Sequence, residues 1–123
     1  MVHDGGVQDL VQAWATLLAR HSTDPDADGV GARLLASWSE PHRRYHSIAH
    51  LRDILDHVEE LAGYADDADA VRLAAWFHDS VYAGRPDDEE LSARRAEEDL
   101  SRLGVTQQLV DEAARLVRLT VSH

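Results

Sequence analysis

His78 and Asp79 stand side by side where an almost wholly apolar run, Ala68–Phe77, turns polar. His50 lies 28 residues upstream, near the start of a second amphipathic segment. Imidazole nitrogen and carboxylate oxygen are borderline-to-hard ligands, suited to Zn, Mn, Fe, Co or Ni. An adjacent His and Asp, joined by a His from a neighbouring helix, make most of a metal site for phosphate-ester hydrolysis. Such an ion lowers the pKa of a bound water and polarises a phosphoryl oxygen. Neighbouring residues inside a regular helix diverge by about 100°. His78 and Asp79 therefore reach one ion only at a helix's last turn, or with the Asp bridging sideways. A shared ion also requires the His50 and His78 imidazoles to lie within about 4–5 Å of each other. Asp79 is further placed to hold the water and take its proton. A fourth ligand is expected on a later helix, and none is evident before His123. The expectation is a domain that is incomplete at its C-terminal side.

Plainer roles compete at each position. A lone histidine ending a buried stripe is most often a satisfied core residue. The neighbouring Asp79 changes that balance, because a buried unpaired carboxylate is costly and needs a cation or charged partner. His57 shares a line with His50 and Ile54 but drifts towards solvent. In the next helical segment, the inward stripe Ala96, Leu100 and Leu103 continues backwards through Ser92 to Glu89. Glu89 either complements the helix N-terminus by its charge or points into a shared polar pocket, and the pattern leaves both open. Leu109, Ala113, Leu116, Thr120 and His123 fall at spacings of 4, 3, 4 and 3. A threonine and a histidine thus end another core stripe, with fraying of the terminus the competing expectation at His123. His42, Arg43, Arg44 and His46 supply positive charge for a phosphate.

The elements that must position these residues read as helical throughout. Apolar residues recur at three and four, and no stretch alternates long enough for a strand. Helices are expected over about 7–20, 28–39, 48–62, 67–82, 89–103 and 107 to the end. Leu10, Trp14, Leu17 and Leu18 mark the core face of the first, and Ile48, Leu51, Leu55 and Val58 that of the third. Gly29 and Gly31 weaken the start of the second. Ser47, Asp66 or Asp67, Asp88 and Thr106 are expected N-caps, and Gly63 and Gly104 are expected stops. At 123 residues the chain is read as one domain, large enough to bury a core.

Composition removes several function classes. With no cysteine there is no disulfide, thiolate zinc site or cysteine nucleophile. Net charge is −11, and the largest cationic groups are Arg43-Arg44 and Arg94-Arg95, which no lysine joins. A nucleic-acid or anionic-membrane partner is not expected, since either requires clustered cations. No apolar stretch reaches a membrane span of roughly 18–20 residues. The N-terminus lacks the basic region and apolar core of a secretory signal. A soluble cytoplasmic protein is the expectation.

Four elements, in order, carry a resemblance. They are Pro41-His-Arg-Arg-Tyr-His-Ser-Ile-Ala-His50, Ala75-Trp-Phe-His-Asp-Ser-Val-Tyr82, Asp88-Glu-Glu-Leu-Ser-Ala93 and Leu119-Thr-Val-Ser-His123. Together they resemble the predicted metal-dependent phosphohydrolases of the HD superfamily, in the branch with PHRxYHxxxH, WFHDxVY, NExxSA and TxxH elements. Asp88 stands where that branch usually has Asn. The resemblance spans about residues 10–123. It implies an all-α, HD-domain-like bundle of about six helices. It implies His50, His78 and Asp79 as metal ligands, with Asp79 and Glu89 catalytic and Arg43, His46 and His123 binding substrate. It also implies a later Asp as the last ligand, on a helix beyond the TxxH element, and this chain has none. The implied cofactor is a divalent ion (Mn, Fe, Co, Ni, Zn or Mg), and the implied substrate is a nucleotide or other small phosphate ester. Truncation would expose apolar surface and favour a homodimer. The competing reading is a noncatalytic or degenerate HD module that binds metal, nucleotide or a protein partner. An oxidative HD-type di-iron enzyme fits the four elements less well.

Overall fold

The computed structural model describes residues 5–40, 47–64, 67–81 and 85–119. Six helices form: α1 Gly5–Ala19, α2 Ala27–Trp38, α3 Ile48–Leu61, α4 Ala68–Phe77, α5 Asp88–Arg102 and α6 Gln107–Leu119. A 3-10 turn, Ala62–Tyr64, follows α3, and there is no strand among the described residues. The all-α bundle expected from the spacing is present. None of these helices is long and apolar enough to cross a membrane.

Helix α4 is the central element. It packs against α3, α5 and α6, while α5 and α6 form a closely packed hairpin and α1 pairs with α2. Its composition explains that place: Ala70, Leu73, Ala74, Ala75, Trp76 and Phe77 are all buried. Small alanines let neighbours approach, and the aromatic pair fills the space between them. Trp14 of α1 meets Trp76 and Phe77 edge-on at centroid distances of 5.1 and 6.1 Å. The α1 stripe Leu10, Trp14, Leu17 and Leu18 is buried as its spacing requires. On α3 only Leu51 is fully buried. Ile48 and Leu55 pack partly against the core, and Val58 is half-buried.

Local signals hold at some ends and fail at others. The Asp67 carboxylate accepts from the Ala70 N–H at 3.1 Å and caps α4. Gly104 adopts a left-handed φ of +82° and ends α5, where the Val105 N–H returns to the Leu100 carbonyl. Ser47 precedes α3 in an extended conformation but gives no side-chain cap. Asp88 is the first residue of α5 rather than its cap. It is buried, and its carboxylate accepts from the Arg85 N–H at 3.2 Å. The largest correction concerns α4, which stops at Phe77 instead of continuing to Tyr82. His78 is its C-cap, and the chain turns over residues 78–81.

Gly31 has a different meaning from the one its helix propensity suggests. It is buried against the Trp14 indole, and a Cβ added there would lie 2.4 Å from a ring carbon. The indole is pinned, since its N–H donates to the Ala27 carbonyl at 2.8 Å. The glycine is what permits α1 and α2 to meet. Gly31→Ala should therefore destabilise the fold by roughly 1–3 kcal/mol, as overpacking does. Chemical denaturation of the variant checks this, and an unchanged or higher midpoint would contradict it.

The start of α4 is tied down by charge. Arg20 grips Asp69 through two hydrogen bonds of 3.0 and 2.7 Å, and Arg72 adds a third at 2.7 Å. His21 Nε2 also lies against the Asp69 carboxylate. Arg72 reaches on to Glu59 of α3 at 2.7 and 3.0 Å. Arg20 above all, with His21 and Arg72, holds the Asp69 carboxyl far below its ordinary value. A depressed carboxyl stabilises the fold above the unfolded pKa of about 3.9 and loses that contribution as pH falls further. Asp69→Asn should cost roughly 1.5–3 kcal/mol near neutral pH, the range for hydrogen bonds to charged groups. It should also flatten the loss of melting temperature below about pH 4. A melting series with the wild-type acid slope retained would contradict this.

Candidate metal centre

Three elements meet at one end of the bundle. His50 sits in the first turn of α3, His78 closes α4, and Asp79 follows in the turn. One ligand atom from each lies within 4.8 Å of the other two, and all three residues are half-buried. His78 Nε2 is 3.3 Å from Asp79 Oδ2. Two ligands each ~2.0–2.2 Å from one ion stand about 3–4.4 Å apart. The His78–Asp79 pair already has that separation, and the full trio is within a few tenths of an ångström of it. The His50 and His78 ring centroids are 6.2 Å apart, while one nitrogen of each lies within 4.8 Å of the other, inside the 4–5 Å expected for two ligands of one ion.

The early end of α4 makes the adjacent pair usable. In a continuing helix the Ala75 carbonyl would accept from the Asp79 N–H. Here it takes the His78 Nδ1–H instead, at 2.8 Å. A carbonyl only accepts, so Nδ1 carries a proton, and Nε2 is the nitrogen on the side of Asp79 that can bind an ion. Fixing a ring this way, through its other nitrogen, is how proteins orient metal-binding histidines. The donor set, two imidazoles and a carboxylate, suits a divalent cation of the Zn, Mn, Fe, Co or Ni kind.

Residues outside the metal-ligand pattern build the walls. Trp38, the last residue of α2, is fully buried, and its indole N–H donates to the Trp76 carbonyl at 3.0 Å. Its ring centroid lies 5.3 Å from that of His78 and 6.4 Å from that of His50. The indole thus limits where both imidazoles can swing. The stripe Leu34, Leu35, Trp38 carried the signal for its burial but not for its neighbours. Arg95 of α5 donates to the Ser80 carbonyl at 3.2 Å and to the Ser37 hydroxyl at 2.9 Å. In the sequence it is visible only as half of Arg94-Arg95. Ser92, read as the hydroxyl on an apolar stripe, is fully buried and bonds the Val81 backbone.

Glu89 is half-buried in the first turn of α5 and forms no hydrogen bond or ion pair among the described residues. It does not join the ligand trio. Its neighbour Glu90 is drawn away to Arg118 and Arg94, which hold its carboxyl down at about 2. His42, Arg43, Arg44, His46, Thr120 and His123 lie outside the described residues.

A cleft of about 760 Å³ begins at His50 and follows α3 past Ile54, His57 and Val58 to Leu61, with Ala68 and Val71 of α4 also lining it. His57 is exposed, as expected, and its Nδ1 bonds the Asp53 carbonyl at 2.9 Å. That bond, helped by nearby acids, raises its pKa above the ordinary value.

Comparisons with protein-family models, with curated proteins and with solved structures find no match to this chain.

Proposed function

We propose that this chain is a metal-dependent phosphohydrolase of the HD type, acting on a small phosphate ester or nucleotide. One observation carries the reading: His50 and the adjacent pair His78-Asp79, the three ligands of the resemblance, lie 28 residues apart in the sequence and bring their ligand atoms within 4.8 Å of one another. A divalent ion held there would acidify a water and polarise a phosphoryl oxygen. His50 and His78 would hold the ion as neutral imidazoles, His78 through the nitrogen that its bond to Ala75 leaves facing Asp79. Asp79 would help to hold the ion and could take the proton of the water it acidifies. Arg43, His46 and His123 bind the phosphate by charge and hydrogen bonding, and Glu89 assists proton transfer from the start of α5. The apolar cleft that opens beside His50 gives the remainder of the substrate a surface to lie on.

The test is metal stoichiometry and turnover measured together. The three-ligand site should take up divalent ion on loading, held weakly, and any hydrolysis of a small phosphate monoester or nucleotide should depend on that ion. His50→Ala, His78→Ala and Asp79→Ala should each weaken metal binding by more than about 100-fold, beyond what loss of an outer partner of a ligand gives. Glu89→Gln should lower turnover while leaving metal content and folding intact. Full turnover in that variant would assign Glu89 to the charge balance of the helix N-terminus. Metal content that ignores all three ligand substitutions would refute the reading.

A further inference from the structure

We propose that Ser92 and Arg95 are positioning residues for the metal centre, holding from α5 the backbone that immediately follows Asp79. This inference rests on the metal reading above. Asp79 sits in a turn, not in a helix, so no further helical turn holds the backbone that follows it. The Ser80 N–H turns back to the Phe77 carbonyl at 2.9 Å, and side chains of α5 hold the next backbone groups. The Ser92 hydroxyl accepts from the Val81 N–H at 3.0 Å and lies 3.4 Å from the Val81 carbonyl, to which it can donate. The Arg95 guanidinium donates to the Ser80 carbonyl at 3.2 Å. The same guanidinium nitrogen donates to the Ser37 hydroxyl on α2 at 2.9 Å. Ser37 directly precedes Trp38, whose ring lies beside both histidines.

Helical spacing explains why both contacts come from one element. Ser92 and Arg95 are three residues apart and share a face of α5. That face meets the turn where α4 ends. Ala96 and Leu100, one and two turns beyond Ser92, are fully buried, so the helix has little room to roll. Ser92 itself is fully buried, which is costly for a hydroxyl unless it is bonded, and its partner is the Val81 backbone. Without these two side chains the Ser80 and Val81 backbone groups would lose their α5 partners. The turn would then sample other conformations, and the Asp79 carboxylate would move with it.

The experiment follows metal affinity and loop protection together in Ser92→Ala. Co²⁺ is the probe, because its visible absorption reports the geometry of the ligands around it. Amide hydrogen exchange reports the Val81 N–H without any metal. Ala96→Gly, one turn away on the same helix, is the control. It loosens α5 through backbone entropy without touching the clamp. In Ser92→Ala, Co²⁺ binding should weaken about tenfold or more, the scale of outer partners that orient metal ligands. Its absorption spectrum should change, and the Val81 amide should exchange at least about ten times faster than in the control. Ala96→Gly should lower the melting temperature while keeping the wild-type Co²⁺ spectrum and affinity. Arg95→Leu should shift Co²⁺ affinity in the same direction as Ser92→Ala.

Three results would overturn the inference. The first is wild-type Co²⁺ affinity and spectrum in Ser92→Ala with Val81 deprotected, which leaves the metal reading standing. The second is equal loss of affinity in Ser92→Ala and Ala96→Gly, which reduces Ser92 to a general stabiliser. The third is a wild-type chain that binds no Co²⁺ while Val81 stays protected, which removes the metal reading and this inference with it.

Discussion

The end of α4 is the constraint on which the rest of the site depends. A helix that stops inside a protein leaves carbonyls and amide groups that must find partners other than the next turn. Here the Ser80 N–H turns back to the Phe77 carbonyl, and side chains take the groups that remain. The His78 ring satisfies the Ala75 carbonyl, Arg95 satisfies Ser80, and Ser92 bonds Val81. Because His78 satisfies its own helix end through Nδ1, its other nitrogen is committed to the side where Asp79 lies. The termination of the helix and the orientation of a ligand are one event.

Packing then carries the histidine from α3 to the same point. The central helix α4 is apolar almost all round, so α3, α5 and α6 can all lie against it. The buried aromatic set Trp14, Trp38, Trp76 and Phe77 fixes the spacing. Gly31 lets α1 and α2 close on Trp14. Asp69, gripped by Arg20 and Arg72, fixes the opposite end of α4 relative to the end of α1 and to α3. With both ends of α4 held, His78 has little freedom to leave His50.

Much of this arrangement was legible in the sequence, and the failures have physical causes. The stripes on α1, α5 and α6 follow from spacing alone, because burial of an amphipathic face is a local pattern with a global consequence. The convergence of His50 and His78 was legible for the same reason, as both sit where apolar stripes turn polar. The stop at Phe77 was not legible, because no glycine or proline marks it. The His78 ring competes for the Ala75 carbonyl, and the other partners arrive from α5, more than ten residues later. Asp88 looked like a cap from its residue type, yet it is buried one position inside the helix and closes the loop behind it. Gly31 looked like a weak spot because propensity scales do not contain the Trp14 ring. Trp38 belonged to a core stripe by spacing, but its contact with two imidazoles depends on how three helices cross.

The central claim is that His50, His78 and Asp79 share one ion, and locating that ion tests it most directly. Anomalous diffraction from crystals grown with Co²⁺ would show it. The account predicts a peak about 2.0–2.2 Å from His78 Nε2, from one His50 ring nitrogen and from an Asp79 oxygen. It also predicts that the His78 Nδ1 bond to Ala75 remains in place. A peak on other residues, or no ordered ion at those three at saturating Co²⁺, would contradict it.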